Sequence, residues 1–252
     1  MNYAVGDIGN TLIKVSLLNN NFKIMNSYSI ETKKIFNQRN KLKFLNKILG
    51  KEKNKKILFS SVVPKAFQVI KSYLAKKNFR AIELKNLNIK KIINLKVDKF
   101  KEVGSDRIAN ALGSLRSYKR DCIVIDFGTA TTFDIINKNG SYEGGVIAPG
   151  INSSIMNLNN STALLPIINL KSKKIFFGKN TKDALNSGFL WGYQGLINNI
   201  IKKITLSGKK NYKIILTGGY AKLFKKFIIM KPVIDQNITI KGIINIYREL
   251  LI

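Results

Sequence analysis

Histidine is absent from this 252-residue sequence, and cysteine occurs once, at Cys122. A general base must therefore be a carboxylate or a perturbed lysine, tyrosine or cysteine side chain. A histidine-rich metal site and a cysteine zinc site are both excluded, and no internal disulfide framework can form.

Long apolar runs are also absent. The longest, such as residues 122–125 and 214–216, are far too short to span a bilayer. No charged segment followed by an apolar stretch precedes the first strand-like segment, so we expect no signal peptide. These observations predict a cytoplasmic protein with no membrane partner.

Acidic residues are scarce: Asp and Glu number 14 against 44 Lys and Arg, a net charge of +30. Such an excess invites a nucleic-acid interpretation, but only six of the 44 are the arginines that base-edge readers favour. The lysines are scattered in twos and threes without interleaved aromatic residues, which a stacking platform would need. We favour a solvated lysine surface and no specific nucleic-acid partner, and a basic nucleic-acid-binding module stays open as an alternative.

The order of predicted elements repeats once along the chain. Strands are predicted at 4–8, 12–18 and 23–29, and a second set of three at 122–127, 132–137 and 144–148. Mixed elements follow the first set: helices at 35–49, 64–76 and 105–118, strands at 57–61, 80–84 and 92–97, and a charged loop at 51–56. After the second set, the sequence predicts helices at 151–161, 182–206, 220–227 and 238–250 and strands at 213–216 and 232–234. The repeat predicts an α/β protein of two lobes, residues 1–119 and 120–252, with mixed sheets and a cleft between them. The last helix is expected to pack back on the first lobe.

Three glycine-rich segments each follow a predicted strand. They are Asp7-Ile8-Gly9-Asn10-Thr11, Asp126-Phe127-Gly128-Thr129-Ala130-Thr131-Thr132 and Leu216-Thr217-Gly218-Gly219. Glycines let backbone N–H groups approach phosphate oxygens, and Thr and Asn add donors without negative charge. An aspartate at a strand end can hold a cation that offsets phosphate charge. The trio predicts a nucleoside triphosphate site, and neither a P-loop nor a G-x-G-x-x-G segment is present as an alternative.

A fourth segment, Val103-Gly104-Ser105-Asp106-Arg107, opens a predicted helix. An acidic residue in the first turn of a helix often has no catalytic role and only interacts favourably with the helix dipole. Candidate bases are few here, however. If Asp7 and Asp126 serve cations and phosphates, Asp106 is the best remaining base for a substrate hydroxyl, ahead of Asp134. Arg107 is expected either to bind a substrate carboxylate or to pair with Asp106.

Together these segments resemble the signature order of type III pantothenate kinases, within the superfamily of actin, sugar kinases and heat-shock ATPases. Gly144 to Gly150 and Gly178-Lys179-Asn180-Thr181 extend the resemblance. It implies two ribonuclease-H-like lobes and phosphorylation of pantothenate by ATP, the first step of coenzyme A biosynthesis. It also implies Mg²⁺ with ATP, a monovalent cation such as K⁺ or NH₄⁺, and a homodimer that shares its substrate site.

The resemblance also implies a role for each matching residue. Asp106 corresponds to the catalytic base and Asp126 to the residue that binds the monovalent cation; Asp7 is a weaker candidate for Mg²⁺ through ATP. The implied pantothenate contacts are Gly104, Asp106, Arg107 and, from the partner of a dimer, Thr181. The implied ATP contacts are Asp7, Gly9, Asn10, Thr11, Lys14, Gly128, Thr129, Thr131, Gly218 and Gly219.

One stretch departs from the family pattern. The family often carries Tyr-x-x-Pro before its Gly-x-Asp-Arg motif, where this chain has Val97-Asp98-Lys99-Phe100. Two further alternatives stay open at this point: another small-molecule kinase of the superfamily, and a regulatory nucleotide-binding accessory factor of the same family.

Overall fold

The computed structural model describes residues 3–49, 54–173 and 175–252. The chain divides into two compact units. The first contains the described residues of Met1–Tyr118 together with Gly140–Tyr142 and Asn237–Ile252, and the second contains Lys119–Asn139 and the described residues of Glu143–Gln236. Within these ranges, no helix has both the length and the apolar character needed to cross a membrane.

The first unit is built on a five-stranded sheet of order β3-β2-β1-β4-β5. Its three antiparallel strands come first in the chain, and β4 and β5 then run parallel to β1. The strands are β1 Tyr3–Ile8, β2 Leu12–Leu18, β3 Ile24–Glu31, β4 Lys56–Ser61 and β5 Arg80–Glu83. A two-residue strand, β6 Asn94–Leu95, pairs with Ser141 and Tyr142.

The second unit repeats this order. Strands β9-β8-β7-β10-β11 occupy the places that β3-β2-β1-β4-β5 hold in the first sheet, with β7 and β8 antiparallel and β10 parallel to β7. They are β7 Cys122–Phe127, β8 Ala130–Asn137, β9 Ser141–Pro149, β10 Lys213–Gly218 and β11 Val233–Ile234. The repeated three-strand pattern predicted from the sequence is confirmed, and with it the α/β class with mixed sheets.

The helices of the first unit are α1 Gln38–Ile48, α2 Pro64–Ala75, α3 Ser105–Tyr118 and α7 Ile238–Leu250; those of the second are α4 Ile151–Asn160, α5 Thr181–Gly208 and α6 Ala221–Phe224. Local chemistry sets several of the boundaries. Proline opens α2, where a missing N–H has no helical partner to lose. The Asn180 side chain accepts a hydrogen bond from the Asp183 N–H at 2.9 Å, which caps α5, and Lys209 ends that helix in a left-handed conformation.

Helices α3 and α7 pack unusually close within the first unit. A Cβ on Gly242 would lie 1.8 Å from the Ala109 carbonyl oxygen, and one on Gly113 would lie 2.2 Å from that of Ile238. Only glycine permits this approach of two backbones. The last helix is thereby held against α3, the helix that carries Asp106.

Three predicted elements contain segments of a different conformation in the structure, and the other predicted elements agree in their bounds or differ at an end by one to three residues. The strand expected at 92–97 is reduced to Asn94–Leu95, because the N–H groups of Ile92 and Ile93 bond back to the Ile89 carbonyl of the preceding 3-10 turn. The helix expected at 35–49 begins at Gln38, after a 3-10 segment at Thr32–Phe36, and the one at 220–227 turns to 3-10 geometry after Phe224. The predicted charged loop at 51–56 lies partly outside the described residues.

Cys122 lies on β7 and is fully buried, with its Sγ 3.1 Å from the Arg120 carbonyl oxygen. Burial raises the pKa of its thiol to about 12. The thiolate is the reactive form of cysteine, so this thiol is a core residue and carries none of the chemistry considered below.

Candidate active site

The first glycine-rich segment forms the hairpin turn between β1 and β2. The Gly9 N–H donates to the Leu12 carbonyl at 3.0 Å, and the Thr32 hydroxyl donates to the Gly9 carbonyl at 2.7 Å. These bonds hold the turn, and Asn10 and Thr11 at its tip are exposed. The turn can therefore present polar groups to a ligand from the end of the sheet.

Asp7 and Lys14 lie opposite each other on β1 and β2. The Lys14 Nζ donates to Asn237 Oδ1 at 2.8 Å. Burial lowers the pKa of Lys14, and the charge of Asp7 opposes that shift. The Asn237 amide oxygen holds the Lys14 Nζ in place without adding a negative charge.

Two residues around this turn were not identified from the sequence. Gly6 has no room for a side chain, since a Cβ there would lie 2.4 Å from the Phe59 ring. Ser60 lies opposite Asp7 on β4 and is fully buried, and within the described residues its hydroxyl has no hydrogen-bond partner. The surroundings of these two residues could not be predicted from the sequence, because they depend on which strand lies parallel to β1.

Asp106 lies in the first turn of α3 and is half-buried. Its Oδ1 accepts the Arg107 N–H at 2.8 Å. Burial raises the pKa of this carboxyl, and the bond from Arg107 and the charges of Arg107 and Lys85 oppose the shift. A carboxylate whose proton affinity is raised in this way is suited to accept a proton from a hydroxyl.

The neighbours of Asp106 explain why this motif needs its particular residues. A Cβ on Gly104 would lie 2.4 Å from Asp106 Oδ1, so glycine leaves the space that the carboxylate occupies. The Arg107 guanidinium carbon lies 5.9 Å from the ring centre of Tyr142, which is buried. Gly104, Asp106 and Arg107 therefore come together at one helix start, as the motif predicts.

The second glycine-rich segment forms the hairpin turn between β7 and β8 in the second unit. Gly128 N–H donates to the Ala130 carbonyl at 3.0 Å, and Ser153 Oγ donates to the Thr129 carbonyl at 2.8 Å. A Cβ on Gly150 would lie 2.0 Å from that same Thr129 oxygen. The start of α4 thus packs directly against this turn, which explains why the sequence needs glycine at position 150.

The third segment lies beside the second, because β10 pairs with β7. Gly218 has a φ of +83°, and a Cβ on it would lie 2.6 Å from Asp126 Oδ1. The Gly219 N–H donates to the Phe127 carbonyl at 3.1 Å. Asp126, half-buried, and the two glycines therefore form one cluster at adjacent strand ends.

The threonines of the second segment differ in exposure. Thr129 is exposed at the turn, whereas Thr131 is fully buried in β8, and so is Asp134 further along the strand. In this conformation Thr129 is the one whose side chain a ligand can reach.

Thr181, the remaining predicted substrate contact, is exposed at the start of α5. It lines an apolar groove of about 570 Å³ in the second unit, together with Phe189, Tyr193 and Leu196 of the same helix and Pro149, Ser154, Leu158 and Leu165. The helix carries three exposed glycines, Gly188, Gly192 and Gly195, where an added Cβ would meet nothing within 4 Å. The first two also line the groove.

No group of three or more Asp, Glu, Cys or His residues that could enclose a metal ion occurs in the described ranges. Mg²⁺ in kinases is commonly held by one or two carboxylates plus substrate phosphates. The single carboxylates of Asp7 and Asp126 at their strand ends fit ions of that kind, which bind oxygen ligands from protein and nucleotide together.

Comparison with known sequences identifies close relatives. The type III pantothenate kinase family matches residues 4–203. The type III pantothenate kinase of Pelagibacter ubique is 44% identical over 241 residues, covering 95% of this chain and 96% of that protein. The enzyme of the same name from Persephonella marina is 36% identical and covers 96% of both chains.

Comparison with solved structures confirms the actin-like fold class. A conserved Baf family protein from Campylobacter jejuni superposes with a TM-score of 0.58 at 22% identity and covers 98% of both chains. A ROK family protein from Streptococcus pneumoniae, solved with sucrose, superposes with a TM-score of 0.54 at 14% identity and covers 99% of both chains. At these identities the likeness concerns the fold alone.

Proposed function

This chain belongs to the type III pantothenate kinase family, and on that premise we propose that it transfers the terminal phosphoryl group of ATP to the hydroxyl of pantothenate, forming 4′-phosphopantothenate. The observation that carries the proposal is the half-buried Asp106 carboxylate, placed between Gly104 and Arg107 at the start of α3. This reaction is the first step of coenzyme A biosynthesis.

In the proposed reaction Asp106 is the general base. As the hydroxyl oxygen bonds to the terminal phosphorus, its proton passes to the Asp106 carboxylate, and the bond from that phosphorus to the bridging oxygen of ADP breaks. Arg107 is the proposed partner of the pantothenate carboxylate, since its planar guanidinium suits bidentate binding. Gly104 contributes by leaving the Asp106 carboxylate its space.

Phosphate binding is proposed for both hairpin turns. In the first unit the side chains of Asn10, Thr11 and Lys14 supply donors and positive charge, and Gly9, whose N–H is bound to the Leu12 carbonyl, holds the turn that presents them. In the second unit the contributors are Gly128 and Thr129, with Gly218 and Gly219 toward the nucleoside; the fully buried Thr131, expected from the sequence to bind ATP, is left out. The exposure of Asn10, Thr11 and Thr129 at the turn tips supports this part of the proposal.

Two cations are proposed. Mg²⁺ would be held by the ATP phosphates and Asp7, and K⁺ or NH₄⁺ by Asp126. Such ions supply positive charge that offsets the charge on the phosphates as the phosphoryl group moves. The oxygen-only donors at both strand ends support the assignment, because hard cations prefer oxygen ligands.

Replacing Asp126 with asparagine should weaken the response to the monovalent cation. The change removes a formal charge and keeps the shape and one oxygen acceptor, so the fold is expected to stay intact. The K⁺ concentration needed for half-maximal turnover should rise about tenfold or more, as expected for the loss of about 1.4 kcal/mol of cation binding. A K⁺ titration of the variant that superposes on that of the unaltered protein would contradict the role of Asp126.

A homodimer that shares its substrate site is proposed as well, with α5 at the interface. Glycine is about 1 kcal/mol less favourable than alanine in a helix. Helix α5 nevertheless carries three exposed glycines, Gly188, Gly192 and Gly195, of which the first two line the groove. A second backbone packing closely on this face is a physical reason for that composition. Thr181 lies on the same helix and would reach the partner's substrate.

Trp191 also lies on α5, but it is not a suitable position at which to test this interface by substitution. Its Nε1 donates to the Ile175 carbonyl at 3.1 Å, and its ring stacks on Phe176 and meets the edge of Phe227. A charge at this position would disturb the core of its own unit. The exposed glycines are better positions for substitution.

The assignment is tested by measuring ADP release from ATP with and without pantothenate, in the presence of Mg²⁺ and K⁺, and identifying the product by mass spectrometry. We expect turnover that depends on pantothenate and a product heavier by one phosphoryl group. Turnover that instead depends on a sugar would support another kinase of the superfamily. ATP binding without any phosphoryl transfer would support the regulatory accessory factor.

A further inference from the structure

Glu83 is a half-buried carboxylate close to the proposed base, and the proposed reaction does not use it directly. It ends β5, and its Oε1 accepts a hydrogen bond from Ser105 Oγ at 2.6 Å. Its Oε2 accepts the Lys85 N–H at 2.7 Å. Both carboxylate oxygens therefore have partners inside the first unit.

Ser105 connects this carboxylate to the helix that carries Asp106. Ser105 is the first residue of α3 and is fully buried, and its Oγ also lies 3.2 Å from the Ser61 carbonyl oxygen at the end of β4. The Ser61 N–H in turn contributes to stabilising the charged form of Glu83. One side chain thus joins the ends of β4 and β5 to the start of α3.

Asp106 follows Ser105 directly, so whatever holds Ser105 sets the position of the base. A hydrogen bond to a carboxylate is short and about twice as strong as a neutral one. On the other side, Gly104 leaves space for the Asp106 carboxylate and does not restrain it. Ser105 is therefore the link through which the two strand ends constrain the base.

We propose that Glu83 is a positioning residue for the phosphoryl-transfer reaction, which acts through Ser105 to hold Asp106 at the start of α3. The inference rests on the proposed role of Asp106 as the base. Displacing a catalytic group by about 1 Å can lower turnover about 100-fold, even when the altered residue does not touch the substrate.

The energetics of Glu83 fit this role better than a purely structural one. Burial raises the pKa of Glu83, so its charge is held at some cost to stability despite the bonds from Ser105 and Lys85. The Lys85 ammonium partly offsets the cost, and its Nζ is itself fixed to the Lys101 carbonyl at 2.9 Å. A neutral side chain could join the strand ends without the free-energy cost of burying a charge, but its hydrogen bond to Ser105 would be weaker.

The experiment compares Glu83→Gln, Glu83→Ala, Ser105→Ala and the double variant Glu83→Ala/Ser105→Ala with the unaltered protein. Glu102→Gln is the matched control, because Glu102 is an exposed carboxylate three residues before Ser105 that pairs with Lys99 at the surface. We expect kcat to fall about 10- to 100-fold in Glu83→Ala and Ser105→Ala, and less in Glu83→Gln, while KM for ATP stays unchanged. The control should keep full turnover.

Coupling between the variants separates positioning from general destabilisation. If Glu83 acts through Ser105, the double variant should lose no more activity than the more damaging single variant. In an Asp106→Asn background, Glu83→Ala should produce no further loss. Additive losses in the double variant, an undiminished effect in the Asp106→Asn background, or unchanged kcat in Glu83→Ala would each overturn the inference.

The failure of the underlying proposal would look different. If Asp106→Asn kept full turnover, the assignment of the base would be wrong, and Glu83 would have nothing to position. If Asp106→Asn lost turnover but the Glu83 and Ser105 variants did not, only the inference about Glu83 would fall.

Discussion

Asp106→Asn is expected to lower pantothenate-dependent turnover by about 10²–10⁴-fold, the contribution typical of a positioned general base. Asparagine keeps the shape of the side chain and an oxygen that can accept the Arg107 N–H. ATP binding should therefore remain, because the residues proposed to bind phosphate are not altered. Steady-state kinetics with pantothenate and a separate measurement of ATP affinity check the two statements.

Stability provides a second readout for the same variant. Burial raises the pKa of Asp106, so the folded protein holds this proton at higher pH than the unfolded chain does. Ionising the carboxyl therefore costs stability once the pH exceeds the ordinary Asp range, and asparagine removes that cost. The melting temperature of Asp106→Asn at neutral pH should be unchanged or higher. If Asp106 were needed mainly to start the helix, its replacement would lower the melting temperature.

The pH dependence of kcat follows the same shift. Only the ionised carboxylate accepts a proton, so kcat should fall as the pH drops through the raised pKa of Asp106. This acidic limb should disappear in Asp106→Asn. Asp98→Asn, the same substitution at an exposed position, serves as the control and should preserve both rate and pH profile. Unchanged turnover in Asp106→Asn would show that Asp106 is not the base and serves only at the start of the helix.

Gly192→Glu is expected to convert a homodimer to a monomer and to abolish most of the activity with it. An added Cβ at this position meets nothing within 4 Å in its own chain, so the variant should fold. At a two-fold interface each change occurs twice. Two uncompensated buried charges at about 3 kcal/mol each weaken association by about 10⁴-fold.

Gly192→Ala is the matched control. It adds one methyl group, raises helix propensity by about 1 kcal/mol, and should leave both assembly and turnover close to those of the unaltered protein. Analytical ultracentrifugation and the pantothenate assay on the same samples test the coupling. A folded, monomeric Gly192→Glu protein with full activity would refute the shared site and leave the kinase assignment standing.

Much of the local structure could be predicted from residue patterns alone. The exact bounds of α3, α7 and β7 follow from the sequence, because the two helices carry a periodic apolar pattern and β7 is apolar except at Asp126. The glycine-rich turns at Gly9 and Gly128 were also predictable, since glycine after a strand ending in Asp-x is a strong local signal. Short elements such as β6 were not, because two residues carry no periodicity.

What the sequence determined by itself was therefore the order of the elements and the types of residue at two strand ends and one helix start. These residues are Asp7, Asp126, Asp106 and the glycines beside them. These are properties of short segments. Chemical type is visible locally, and the absence of histidine left few residues able to act as a base.

Only the tertiary structure decided which distant residues support those groups. Glu83 lies 22 positions before Ser105 in the chain, and Asn237 lies 223 positions after Lys14, yet each pair forms a hydrogen bond. Such pairs depend on strand order and on the close packing of α7 against α3. Their energies arise from burial and geometry across the fold, which no single segment of the sequence contains.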